Sequence, residues 1–284
     1  GQHHGDHLFS DAVGVRARRV HHVHAFLAGV FGVDRVKPRA GAHDHLELRQ
    51  RVDDRGSHLL AAHDQRVAGV AFADRAQYVA DPDFVSAPGN SWLSMFDPAY
   101  LRQRASLIAP EGASMQAAQP GRPGSIRLAH ANMPPQLEYG TSHISIIDAQ
   151  GRALSMTSSI EDQFGSRLMV NRGQGLAGGF LLNNQLTDFS FTPVDAQGRA
   201  VANRVQPGKR PRSSMAPILI YRQQADGSRG PLLMTAGSPG GSLIIHYVSK
   251  ILYGTLHWGL DTQQAIALPN FGSTNGPTLL EQGR

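Results

Sequence analysis

From residue 140 onward the apolar positions fall in short runs separated by turn-forming residues, the pattern of strands. His143–Asp148 (HISIID) and Ala153–Ser159 (ALSMTSS) flank Ala149-Gln150-Gly151-Arg152 and predict a hairpin. Gly179–Asn183 (GFLLN), Pro217–Arg222 (PILIYR) and Leu232–Ala236 (LLMTA) are further runs of this kind. Between Ser242 and about Trp258 the spacing lengthens: Ile245, Tyr247, Ile251, Leu252 and Leu256 predict a buried helix that ends at Gly259. Asp261 with Gln264 three residues on has the form of a capping box for a last short helix before Pro269.

Upstream, Ala71–Val79 (AFADRAQYV) suits a short helix stopped by Asp81-Pro82. Asp97-Pro98 gives an N-cap and a proline at the first helical position. Leu101, Ala105 and Ile108 then share a face, and Pro110 ends the helix. Residues 109–137, rich in Pro, Gly, Gln and Ala, predict a long exposed connection. Strands followed by helices packed on a sheet indicate an α+β layered fold. Residues 1–68 differ in kind. They hold ten of the fourteen histidines and show no sustained periodicity. A metal site built on His3, His4 and His7 or on His21, His22 and His24 is poorly supported, because no carboxylate or cysteine recurs at ligand spacing. A poorly ordered arm and sequence foreign to the fold, such as a GC-rich gene read out of frame would give, both suit this composition.

Composition narrows the class. With 284 residues, 40% hydrophobic and 17% charged, the chain can bury a core as one large domain or two ordinary ones. It contains no stretch of about 18 apolar residues, so no membrane span is predicted. No signal peptide is visible, although a chain starting at Gly1 rather than Met can have lost one, and periplasm and cytoplasm both stay open. The absence of cysteine excludes disulfides and thiolate chemistry. Net charge is +5, but the arginines are scattered with no Lys/Arg run of five, which describes a solvated surface rather than a nucleic-acid site.

Two common catalytic motifs are missing. Gly237-Ser238-Pro239-Gly240 lacks the spacing of a nucleophile elbow, and Gly237–Ser242 (GSPGGS) has no Gly-Lys-Ser/Thr of a phosphate loop. That glycine-rich stretch is either a tight turn between strand and helix or a set of backbone N–H groups aimed at an oxyanion.

The order of four blocks is more specific. Thr141-Ser142-His143-Ile144-Ser145 is followed by Gly179–Phe189 (GFLLNNQLTDF), Lys209–Met215 (KRPRSSM) and Gly237–Ser242. In this order the blocks resemble the small subunit of the gamma-glutamyltransferase (gamma-glutamyltranspeptidase) family, and Ala71–Val85 resembles the end of its large subunit. The resemblance covers about residues 70–284. It implies the four-layer αββα sandwich of N-terminal-nucleophile hydrolases, partial at both ends because Gly283-Arg284 precedes the family's last strands. The chain then divides into the atypical segment 1–68, a large-subunit-like region and linker 69–140, and a small-subunit-like catalytic region 141–284.

The resemblance also implies chemistry. The precursor cuts itself between Gly140 and Thr141, giving large and small subunits from one chain. A hydroxyl is a poor nucleophile without a base, and a freed N-terminal threonine carries one, since an α-amino group titrates at about 7.7–8.0. Thr141 is thereby the nucleophile, and Gly240 and Gly241 supply the oxyanion hole. Gln185 and Asp188 hold the substrate's α-ammonium, and Ser213 and Ser214 its α-carboxylate. Ser159 stands beside the nucleophile where the family has threonine, and Glu161 stands where well-studied members have asparagine. The implied substrate is a gamma-glutamyl amide such as glutathione, with no metal or organic cofactor. Two departures matter. Glu161 leaves a glutaryl or cephalosporin acylase as an alternative, and the family's α-carboxylate-binding arginine has no matching context in 1–68. An inactive, unprocessed fragment is a further alternative.

Overall fold

Helix α1, residues 69–78, is buried along nearly its whole length although it carries Asp74, Arg75 and Gln77. Residues 69–108, 117–124, 129–136, 138, 140–171, 173 and 178–281 are described in this computed structural model, and the readings placed on 1–68 lie outside them. Polar groups so deep need partners. Asp74 Oδ2 accepts from the Tyr100 hydroxyl at 2.6 Å and Arg104 Nε at 3.1 Å, while Oδ1 accepts from the Gly121 N–H at 2.6 Å. Arg104 Nη2 donates to the Val70 and Gln119 carbonyls at 3.1 and 2.9 Å. Burial lifts the Asp74 carboxyl above its ordinary range, against the pull of Arg104.

Helix α2, Pro98–Ala105, starts as predicted, with the Asp97 side chain accepting from the N–H groups of Ala99 and Tyr100. Its buried residues are Tyr100, Leu101 and Arg104, not the Leu101–Ala105–Ile108 face expected, because Arg104 is drawn inward to Asp74. Tyr100 and Leu101 join Ala71, Phe72, Tyr78, Met95 and Ile245 in one apolar cluster.

Eight strands form four antiparallel pairs among the described residues: β1 (Ser142–Ile147) with β2 (Ala153–Ser158), β3 (Met169–Val170) with β4 (Phe180–Leu181), β5 (Ile218–Gln223) with β6 (Arg229–Ala236), and β7 (Phe271–Gly272) with β8 (Leu279–Leu280). The predicted hairpin is β1–β2; Asp148 Oδ1 closes its turn by accepting from the N–H groups of Gln150 and Arg152 at 3.0 and 2.8 Å. Strands β3, β7 and β8 went unpredicted, since two residues carry no readable period. A serine ties the two long hairpins together: Ser155 Oγ donates to the Ala236 carbonyl at 2.9 Å and accepts from the Ile218 N–H at 3.1 Å. Ile144, Ile146, Ile147, Leu154 and Met156 on β1 and β2 are exposed.

Helix α3, Ile244–Leu256, follows a 3-10 turn at Gly241–Leu243 and serves both sides of the core. Ile245 packs with α1 and α2, whereas Ile244 and Val248 pack with Ala216 beside β5. His246 stacks on Phe72 at 5.1 Å between ring centroids, and its Nε2 lies 3.0 Å from the Ser273 carbonyl. Buried Lys250 donates to the Ile266 and Leu268 carbonyls at 3.2 and 2.6 Å, capping helix α4, Thr262–Ala267. Both halves of the Asp261–Gln264 capping box are present.

The connection read as exposed is partly interior: Ala131 and Met133 are 1% and 2% exposed. Proline-rich chain cannot build a ladder, but its amides still find partners. The Ala131 N–H donates to the Ala200 carbonyl at 2.8 Å and the Met133 N–H to the Ala76 carbonyl at 3.1 Å. No helix among the described residues is long and apolar enough to cross a membrane.

Asp74→Ala leaves Arg104 buried without its carboxylate and is expected to lower unfolding free energy by about 3–5 kcal/mol in a urea titration. Asp74→Ala combined with Arg104→Met is expected to recover part of that loss.

Candidate functional site

The β1–β2 register places Ser142 opposite Ser158, so Thr141 and Ser159 face each other one step beyond the ladder. Their hydroxyl oxygens are 3.4 Å apart. Between them lies the carbonyl oxygen of Gly140, which accepts from Ser159 Oγ at 2.7 Å and also from Thr141 Oγ1. Ser159 Oγ in turn accepts from the Glu161 N–H at 2.9 Å. Gly140 has φ 48°, and a Cβ there would collide with the Glu161 carbonyl oxygen, so the position requires glycine. The arrangement sets two hydroxyls, Thr141 and Ser159, around one peptide carbonyl that accepts from both. His143 of the same block turns instead to Thr157 Oγ1 and Ser145 Oγ, at 2.8 and 3.0 Å.

These groups open on a cavity of about 20 Å³, room for roughly one water molecule. Eight of the nine residues singled out in the sequence line it: Thr141, Ser159, Glu161, Gln185, Asp188, Ser213, Ser214 and Gly241. The ninth, Gly240, does not line it but precedes Gly241 at the head of the turn leading into α3. Its φ is 135°, and a Cβ would meet the Tyr247 ring at 2.5 Å. The first N–H groups of a helical run have no intrahelical acceptor, which leaves this end suited to a negative oxygen.

Asp188 ends a 3-10 turn begun by Gln185, whose side-chain amide donates to Asp188 Oδ2. Burial pushes the Asp188 carboxyl up to about 6; the Gln185 hydrogen bond opposes this, and the charges of Glu138 and Glu161 add to it. Glu161 Oε2 accepts from Asn184 Nδ2 at 2.8 Å, and Asn184 Oδ1 accepts from the Asp162 N–H at 2.9 Å, so Asn184 fastens the loop that carries Glu161. Ser213 Oγ accepts from the Met215 N–H at 3.1 Å and shapes the turn.

The sequence reading missed a buried cluster of three charged residues beside this cavity, of which Glu138 lines it. Glu138, Arg75 and Arg212 have side chains only 6–7% exposed, with Glu138 Oε1 3.6 Å from Arg75 Nη2 and 3.7 Å from Arg212 Nη2. Ser214 Oγ accepts from Arg75 Nη2 at 2.6 Å and donates to Glu138 Oε2 at 2.7 Å. Burial alone would raise the Glu138 carboxyl, but the two guanidiniums and Ser214 hold it below the ordinary carboxylate range. Burial, reinforced by the charge of Arg75, brings Arg212 down to about 9. Among the described residues, Arg75 Nε, Arg212 Nε and Arg212 Nη1 are buried without a hydrogen-bond partner. Arg75 and Arg212 each lie inside a motif block, yet no sequence spacing shows that they converge on a glutamate two residues before Gly140. A second cavity of about 220 Å³ meets the same trio and is also lined by Phe72, Gln136 and Asn275. No group of three or more His, Asp or Glu among the described residues is placed to hold a metal ion.

Residues 49–283 match the family model described as gamma-glutamyltranspeptidase, a match that begins earlier than the blocks near residue 70. The chain is 37% identical over 215 residues to a glutathione hydrolase proenzyme of Pseudomonas aeruginosa, covering 74% of this chain and 33% of that protein. A glutathione hydrolase proenzyme of Escherichia coli is 33% identical over 208 residues, 71% of this chain and 31% of its own length. The chain thus spans about a third of these curated relatives. A solved gamma-glutamyltranspeptidase from Pseudomonas nitroreducens, complexed with L-DON, shares 34% identity over 45% of this chain and 63% of its own, at a TM-score of 0.38.

Asp188 is expected to titrate near 6 in the uncleaved chain, read as a carboxyl ¹³C resonance that Asp188→Asn removes. Its folded pKa lies above the unfolded value of about 3.9, so its contribution to stability is full below that pH and is lost as pH rises through 6. A midpoint below 5 would contradict this environment.

Proposed function

The chain belongs to the gamma-glutamyltranspeptidase family, and we propose that the complete protein transfers or hydrolyses the gamma-glutamyl group of glutathione and related amides after cutting itself between Gly140 and Thr141. The observation that carries the reading is the pair of hydroxyls, Thr141 and Ser159, bracketing the Gly140 carbonyl, with Ser159 Oγ 2.7 Å from its oxygen.

Self-cleavage uses groups already in place. Thr141 Oγ1 attacks the Gly140 carbonyl carbon while Ser159 donates to the oxygen that becomes negative. The Thr141 nitrogen leaves with a proton, and an ester joins Gly140 to the Thr141 side chain. Water hydrolyses that ester, leaving a Gly140 carboxylate and a free Thr141 α-amino group. That amine titrates at about 7.7–8.0 and takes the hydroxyl proton in the next reaction.

In turnover Thr141 Oγ1 attacks the substrate's gamma carbonyl, and the N–H groups of Gly240 and Gly241 receive the oxyanion. The departing amine takes the proton held by the α-amino group. Water or an amino acid then attacks the gamma-glutamyl ester and restores the hydroxyl. Asp188, Gln185 and Glu161 line the same cavity and offer oxygens to an α-ammonium, and Ser213 and Ser214 offer hydroxyls to an α-carboxylate. Residues 69–140 then end the large subunit and 141–284 form the catalytic small-subunit region. The complete protein takes the four-layer αββα arrangement of N-terminal-nucleophile hydrolases.

Thr141→Ala is expected to stay a single band on a denaturing gel, while the unsubstituted chain yields two fragments meeting at the 140/141 bond. Ser159→Ala removes the donor at the scissile carbonyl and is expected to slow cleavage by about 10²–10³-fold. In the complete protein, gamma-glutamyl anilide is expected to turn over faster than glutaryl anilide; equal rates favour an acylase. Hydrolysis that persists in Thr141→Ala defeats the proposed mechanism.

A further inference from the structure

Two stretches of backbone bring most of the substrate-facing groups to the cavity at Thr141: the turn Gln185–Asp188 and the pair Ser213 and Ser214. One side chain that the proposed chemistry does not use joins them. Asn203 is 1% exposed and does not line the cavity. Its Nδ2 donates to the Asp188 carbonyl at 2.8 Å, and its own backbone carbonyl accepts from the Ser190 N–H at 3.0 Å. Its Oδ1 accepts from the Arg212 N–H at 3.0 Å, directly before Ser213. Pro211 has no N–H to offer at the preceding position.

The amide is used completely. Nδ2 also lies 3.6 Å from Met133 Sδ, so each of its two hydrogens has an acceptor. Turned over, the amide would set its nitrogen against the Arg212 N–H and its oxygen against the Asp188 carbonyl, two like pairs in the interior. The position therefore needs a donor and an acceptor on one short side chain. Leucine would leave both backbone groups unpaired, and an ionised aspartate would face the Asp188 carbonyl with oxygen. A buried side chain paired at both ends lets neither stretch drift from the other.

We infer that Asn203 is a positioning residue: it fixes the separation between the Asp188 carboxyl and the hydroxyls of Ser213 and Ser214, and so sets the spacing of polar groups that the cavity accepts. The inference rests on the gamma-glutamyl reading of this cavity and deepens it. A ligand with an ammonium and a carboxylate on one carbon must meet both stretches at once. A glutaryl group, lacking the ammonium, does not depend on that separation.

The test compares Asn203→Ala with Val201→Ala, a truncation at an equally buried position whose side chain packs with Ala131 and Met133 instead. In the complete protein, Asn203→Ala is expected to raise KM for gamma-glutamyl anilide roughly ten- to a hundredfold with kcat little changed, and to raise it less for glutaryl anilide. Added to Asp188→Asn, it is expected to cost little more, because both act through one group. The second readout needs no substrate. In the uncleaved Thr141→Ala chain, Asn203→Ala is expected to lower the carboxyl ¹³C midpoint of Asp188 from about 6, as the loosened turn admits water. The groups facing Asp188, namely Gln185, Glu138, Glu161 and Arg75, are the same in each of these uncleaved chains. Val201→Ala is expected to change neither readout. Asn203→Ser keeps a short hydroxyl and takes the place of Asn203→Ala if that variant does not fold, with smaller shifts in the same direction. An Asp188 midpoint that stays near 6 overturns the inference. So does an unchanged KM in a protein that turns over gamma-glutamyl anilide, or an equal response to Val201→Ala. No turnover of that anilide by the unsubstituted protein defeats the gamma-glutamyl reading instead, and the midpoint alone then decides whether Asn203 places Asp188.

Discussion

The antiparallel register of β1 and β2 is the constraint on which the site depends. With Ser142 locked opposite Ser158, the first residues outside the ladder are Thr141 and Ser159. Their hydroxyls meet around the carbonyl of Gly140, whose left-handed backbone completes the arrangement. A slip of one residue would send each side chain to the opposite face and separate the pair. The Asp148 turn, which accepts two backbone N–H groups, and the Ser155 stitch to the β5–β6 hairpin both hold that register from outside the site.

Helix α1 links this chemistry to the core. Neighbouring helical residues project about 100° apart, and Asp74 and Arg75 use that difference. Asp74 turns to Tyr100 and Arg104 and ties α1 to α2, while Arg75 turns to Ser214 and Glu138 at the cavity wall. Both charges are buried, so each constrains its partners strongly. Fold and site thus share a single turn of helix, and displacement of α1 would disturb both.

Much of this was legible in the sequence, and the reasons differ by element. Asp97-Pro98 and Asp261–Gln264 declare helix starts through local hydrogen bonds that depend only on neighbours in the chain. The β1–β2 hairpin and α3 declare themselves by period. Eight of the nine residues singled out gather at one cavity; six of them belong to the four blocks whose order resembles a known family, while Ser159 and Glu161 follow strand β2. The failures were tertiary. Arg104 rather than Ala105 faces inward because of a carboxylate thirty residues away, and Ala131 and Met133 are buried by contacts that no periodicity encodes. The convergence of Arg75, Glu138 and Arg212 is a matter of three-dimensional proximity alone.

The hairpin that holds the site has a further side. Ile144, Ile146, Ile147, Leu154 and Met156 lie exposed on a ribbon that, among the described residues, pairs with no third strand. Exposed apolar side chains grouped on one element are the surface that a further layer of structure ordinarily covers. The same strand pairing that aligns the two hydroxyls therefore presents an apolar face that, among the described residues, nothing covers.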